Sequence, residues 1–117
     1  MNMEIFRNSE FGSIRVIEED GKYLFCGSDV AKALGYSNPR KAVRDHARGG
    51  TKRSIPTASG DQTMTFLPEG DVYRLIVHSR LPGAERFEKW VFDEVLPAIR
   101  KTGGYGRVDV TAIIMQT

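Results

Sequence analysis

Apolar and polar positions alternate along the first part of the chain and then change to a helical spacing. "EIF" (residues 4–6) and "SIRVIEEDGKYLFC" (13–26) carry β-branched and aromatic residues in a period near two, which predicts strands. Asp20-Gly21 interrupts the longer run, and because glycine tolerates positive φ this dipeptide predicts a tight hairpin. Ile14 and Val16 fall on one side with Ile17 on the other, while Leu24 and Cys26 oppose Tyr23 and Phe25. Both faces of the ribbon are therefore apolar, which predicts helices over one face and a second contact on the other.

From residue 27 the spacing becomes helical. Ser28 is an expected N-cap, Val30, Ala31 and Leu34 form a short apolar stripe, and Gly35 is suited to a left-handed cap. Asn38 and Pro39 then supply a favoured cap and a favoured first helical residue. Two short helices split by "GYSN" have the proportions of a helix-turn-helix. After Gly49-Gly50, "TKRSIPTASGDQTMTFLP" predicts two short arms around Ser59-Gly60-Asp61, a hairpin in the place of a wing. Pro56 assigns its first arm to a sheet edge, since proline cannot donate to the ladder.

Two further helices follow. In residues 69–80, Val72, Leu75, Ile76 and Ser79 share one face, and Asp71, Arg74 and His78 another. In residues 84–96, Phe87, Trp90, Val91 and Val95 form a wide stripe, which Pro97 is expected to end or kink at Leu96. Trp90 reads as core. Glu94 falls inside that stripe, where an ionised carboxylate needs a partner, expected to be an arginine of the preceding helix. Phe92 and Leu96 form a second apolar strip, a candidate partner interface for a homodimer or a following domain. The expected fold class is α+β: an N-terminal β-ribbon, a helix-turn-helix followed by a β-hairpin wing, then two C-terminal helices. Residues 1–102 are expected to form one domain, and residues 103–117 a linker and the start of a C-terminal region.

Charge changes this picture in one place. Residues 38–53 hold six basic side chains and one acidic, whereas residues 1–37 hold four and six, and residues 54–117 seven and eight. A local excess of this kind bears on partners rather than on fold. On a helical wheel at about 100° per residue, Ala42, Val43, His46 and Ala47 gather on one side, and Arg40, Lys41, Arg44 and Arg48 on the other. Cations four apart repel one another, so the stripe suits a row of phosphates. Arg40, near the helix start, is placed for a bidentate contact to a guanine edge, and Arg44 for that or for phosphate. Lys41, Arg48, Lys52 and Arg53 read as phosphate contacts. Asn38, at the helix start, completes the candidate nucleic-acid-binding set. Six such contacts give a log affinity against log salt slope of about −5.

The segments "IRVIEEDGKYLFCGSDVAKALGYSNPRKAVRDH" and "FLPEGDVYRLIVHSRLPGAERFEKWVFDEVLPAIRKTGGY", in this order and spacing, resemble the Bro-N domain, the amino-terminal module of viral Bro proteins and prophage antirepressors. The resemblance covers about residues 3 to 105. It implies a DNA-binding domain, usually followed by a variable carboxy-terminal domain, in proteins of phage or virus gene regulation. It assigns no base-reading residue, so the roles of Arg40 and Arg44 rest on the wheel.

Other chemistry finds little support. His46 and His78 have no cysteine or carboxylate at ligand spacing, so neither a metal nor a catalytic site is expected; His46 reads as a packed residue and His78 as a surface residue beside Arg74. "GGTKRS" lacks the lead and the following helix of a phosphate-binding loop. Asp93-Glu94 are helix neighbours pointing about 100° apart, not an acid pair. Cys26 is the one cysteine, expected as a buried strand thiol. With no apolar run approaching the roughly 20 residues that span a bilayer, the chain is expected to be cytoplasmic and without cofactor. The expectation is a regulator that binds double-stranded DNA through residues 37–53. The alternative is an interaction module that neutralises a repressor protein.

Overall fold

The protein is described by a computed structural model covering residues 2–102. The expected linker and C-terminal start, residues 103–117, lie outside the described residues. The chain divides into two compact units, residues 1–87 and the segment from Glu88.

The first unit is α+β. Strands β1 (Asn2–Asn8), β2 (Gly12–Glu19), β3 (Lys22–Cys26), β4 (Thr51–Thr57) and β5 (Gly60–Leu67) form one antiparallel sheet in the order β1-β2-β3-β5-β4. Asp20 (φ 52°) and Gly21 (φ 76°) both adopt positive φ between the paired Glu19 and Lys22, the geometry of a two-residue type I′ hairpin. Pro56 lies on β4, a sheet edge, as its missing donor requires. The β4–β5 hairpin does not stand apart as a detached wing. Phe25 pairs with Leu67 and Cys26 with Phe66, because the apolar end of β5 continues the core of the ribbon; Phe66 and Leu67 are both fully buried.

Helices α1 (Gly27–Ala33), α2 (Pro39–His46) and α3 (Glu69–His78) pack together, and α1 and α3 lie on the sheet. The helix α1 starts directly off β3, with Cys26 rather than Ser28 at the cap position and no side-chain cap bond. Ser28 is drawn into the first turn because no loop intervenes. Gly35, at φ 80°, ends α1 as expected: the Gly35 N–H donates to Lys32 O and the Tyr36 N–H to Ala31 O, a Schellman pair.

Period-two alternation sorts the sheet residues. Val16, Phe25 and Leu67 share the face under the helices and are buried with Val30, Leu34, Val72 and Leu75. Ile17, Cys26, Ile55 and Phe66 form a second cluster on the opposite face, with Leu24 and Met64 packed against it. Ile17 and Ile55 sit on strands three steps apart, about 14 Å on a flat sheet, yet both are buried, 1% exposed, in one cluster with Cys26 and Phe66 of the strands between them. The sheet therefore curls over this face, and Arg53 of β4 reaches Glu19 of β2 with Nε–Oε2 and Nη2–Oε1 distances of 2.7 and 2.8 Å. Curling supplies the second contact that the two-sided apolar ribbon requires, burying each large side chain for about 1.5–3 kcal/mol.

The helix α4 (Ala84–Trp90) runs past residue 87 into the second unit, followed by a π turn over Val91–Val95 and α5 (Leu96–Thr102). The helix thus continues through Pro97 instead of stopping at Leu96. The Leu96 N–H donates to Val91 O, five residues back, and this widened turn makes room for a proline ring that would otherwise press on the carbonyl four residues earlier. The wider turn also rephases the wheel. Val95, Leu96 and Ile99 are buried, while Glu94 is exposed and needs no arginine partner. The Phe92/Leu96 strip is altered for the same reason: Leu96 is 1% exposed and Phe92 half-buried.

Candidate nucleic-acid interface

Helix α2 begins as its sequence dictates. The Asn38 side chain accepts from the Lys41 N–H at 3.2 Å and Pro39 follows at the first helical position, so Asn38 Oδ1 is engaged in capping. Ala42 and Val43 bury one side of the helix. The other side carries the cations, which the fold divides.

Arg40, Arg44 and Arg48 line one wall of a groove of about 690 Å³. The opposite wall is the β4–β5 hairpin with Gly50, Lys52, Gln62, Thr63 and Thr65, and Arg15 of β2 and Ser28 of α1 also line it. Five of the lining residues are cations, and none is a carboxylate. Lys52 lines the groove with Thr65, its cross-strand partner, and alternates along β4 with Arg53, which opposes Met64; Met64 packs on the curled core and also borders the groove, while Arg53 is turned to Glu19.

The cations differ in their partners. Arg44, with its side chain 72% exposed, stands 4.0 Å from Asp45. Lys41 is not among the residues that line the groove, and it makes a 2.6 Å ion pair with Asp45, the next helical turn along. That bond and the nearby Arg44 hold the Asp45 carboxyl below its ordinary range. Arg53 is clasped by Glu19 and bonded to Thr51 Oγ1 and Lys52 O, and its hydrogen bond holds the Glu19 carboxyl low. Arg15 is engaged by Asp29, which accepts from its backbone N–H at 3.0 Å and from its guanidinium at 2.8 Å twice. The hydrogen bond to Asp29 raises the Arg15 pKa further. Of the seven residues expected to contact nucleic acid, the structure brings Arg40, Arg44, Arg48 and Lys52 to one groove. Lys41 and Arg53 are drawn off by carboxylates, and Asn38 by its cap.

Two residues that shape the site are missed by the sequence reading. Arg15 lies 25 residues before Arg40 in the sequence, and it is bonded to Asp29 of α1 where it borders the groove. Asp71 belongs to the polar face of α3 on the wheel, yet it is fully buried. Its Oδ1 accepts from the Arg48 N–H at 2.9 Å and from Arg74 Nη1 at 2.6 Å, and its Oδ2 from the Gly49 N–H at 2.7 Å. Burial alone would raise the Asp71 pKa, but the two backbone donors and the guanidinium outweigh it and hold the carboxyl below its ordinary value. Glu69 and Asp71 are both acidic residues of the first turn of α3, where such residues are normally read as dipole partners, so no local pattern marks Asp71 for this role. His46 is half-buried and packed and His78 exposed, as expected, and the two rings also stack, with centroids 4.4 Å apart and planes 12° apart. Among the described residues, no group of three or more His, Cys, Asp or Glu side chains is placed to hold a metal ion, and no helix is long and apolar enough to cross a membrane.

Residues 13–97 match the model of the BRO family, N-terminal domain. The chain belongs to the Bro-N family. A similar protein of Haemophilus influenzae, itself uncharacterised, is 56% identical over 92 residues, covering 77% of this chain and 46% of that protein. The putative Bro-N domain-containing protein 289L of Invertebrate iridescent virus 6 is 34% identical over 103 residues, covering 69% of this chain and 24% of its own length. A Bro-N domain-containing protein of Autographa californica nuclear polyhedrosis virus, ORF2, is 30% identical over 119 residues, covering 86% and 36%. The chain thus spans about half or less of the length of these relatives. No solved structure matches it.

Proposed function

We propose that this Bro-N chain is a DNA-binding module of a phage or virus gene regulator, acting in the cytoplasm by binding and without chemistry of its own. In this reading α1 and α2 serve as the helix pair and the β4–β5 hairpin as the wing, joined to the main sheet. The observation that carries it is the groove in which Arg40, Arg44 and Arg48 face Lys52 with no carboxylate in the lining. Residues four apart on α2 stand about 6 Å apart along the axis, so Arg40 and Arg44 present a row to successive phosphates. Arg40 and Arg44 are also within the reach of base edges, and Arg48 and Lys52 fix register through the backbone. Four cations on phosphates give a log affinity against log salt slope of about −4, shallower than six would give.

The test is duplex binding at two salt concentrations for the parent chain and for an Arg40→Ala, Arg44→Ala double variant. A steep salt dependence in the parent that flattens in the variant supports the reading. A parent chain with no detectable duplex binding at low salt overturns it and favours a module that binds a repressor protein.

A further inference from the structure

The four cations come from two elements, α2 and β4, joined by the four residues Ala47–Gly50. Whether the helix row and Lys52 oppose each other depends on the path of this turn. Its path is fixed from two sides. On one side, Asp71 of α3 takes the N–H groups of Arg48 and Gly49 onto its two oxygens. On the other, Gly50 is pressed so close to β5 that an added Cβ would lie 2.8 Å from Thr65 Cγ2 and 3.2 Å from Leu67 Cδ2.

We infer that Asp71 is a positioning residue for the groove: through the amides of Arg48 and Gly49 it sets the turn so that Arg48 and Lys52 act on one bound strand. The chemistry favours a carboxylate here. Three donors converge on two oxygens, and an asparagine would turn its own N–H₂ toward one of them. Arg74, on the outer side, completes the set at 2.6 Å. The inference rests on the proposed nucleic-acid reading of the groove, and it concerns how the site is held rather than what it holds.

An anchor that served stability alone would lower the melting temperature without changing how many phosphates a folded molecule neutralises. The salt slope separates the two roles, because each lost phosphate contact removes about 0.9 from it. The experiment measures binding of a labelled 20-base-pair duplex to the full chain across a salt series, at a temperature where each variant is folded by circular dichroism. Asp71→Asn is expected to make the slope shallower by about one unit and to weaken binding about tenfold at 0.1 M salt. Gly50→Ala moves the same turn from its other side and leaves Asp71 intact. It is expected to flatten the slope as well, and it carries the test alone if Asp71→Asn does not fold. Parent-like slopes in the folded variants would overturn the inference while leaving the groove reading standing. A parent chain that does not bind the duplex would take both down.

Discussion

The two faces of the sheet use the same residue types to opposite ends. On the helix-bearing face, Arg40, Arg44, Arg48 and Lys52 gather around a groove with no carboxylate in its lining. On the curled face, Arg53 sits one residue from Lys52 and is closed onto Glu19, beside Ile17, Cys26, Ile55 and Phe66. A cation paired in this way holds two distant strands together and has little left to offer a ligand. Arg40, Arg48 and Lys52 pair with no carboxylate among the described residues, and Arg44 only stands 4.0 Å from Asp45, so their charge is kept for a partner. Within residues 38–53 the pairing of Arg53 with Glu19 thus sets it apart from the arginines that line the groove, a division no count of charge makes.

Substitutions break the comparison from either side. The largest expected effect is on the curled face: Phe66→Ala, which empties a fully buried position, is expected to cost about 3–5 kcal/mol of stability, read as the shift of a urea midpoint. On the groove face, Arg40→Ala with Arg44→Ala removes two of the four cations assigned to phosphate or base in the proposed function and is expected to weaken duplex binding about 60-fold at 0.1 M salt, with little change in that midpoint. The adjacent pair sharpens the contrast. Lys52→Ala is expected to lose about eightfold in affinity by the same counterion arithmetic and to melt like the parent, whereas Arg53→Ala is expected to melt at lower temperature with affinity within about twofold; the reverse pattern would put Arg53 in the site.

Acid supplies the smallest and most selective effect. Asp71, Glu19 and Asp45 all have carboxyl pKa values lowered in the folded chain. The unfolded chain therefore takes up protons first, near pH 4. The stability these groups give is complete above that value and declines as pH falls through the lowered folded values. A urea midpoint followed from pH 6 to 2 is expected to show this acid limb, and Asp71→Asn to flatten it.

Much of this was legible in the sequence. The hairpin at Asp20-Gly21, the glycine cap at Gly35, the Asn38-Pro39 helix start and the edge position of Pro56 each follow from local backbone chemistry, and each stands in the structure. The basic stretch was also visible, but its division was not. Neighbours on a strand point to opposite faces, so the fates of Lys52 and Arg53 depended on which face carries the helices, a question of packing. Lys41 was separated from the row by Asp45, one helical turn on, a pairing the wheel places at the edge of the basic arc. Asp71 was hidden because its donors are backbone amides 22 and 23 residues away, and a side-chain pattern carries no trace of them. Glu94 and Leu96 were misassigned because a regular 100° wheel does not foresee the π turn ahead of Pro97.

That turn amounts to one surplus residue in an otherwise even helix. Removing Asp93 would leave Val95, Leu96 and Ile99 on the side they now occupy, since the spacing from Trp90 and Val91 would become regular. The same excision at Lys89 would swing everything downstream through about 100°. The shortened helix would, however, lose the slack that accommodates Pro97, at a cost of about 3 kcal/mol. The chain can give up a residue here only if the proline goes with it.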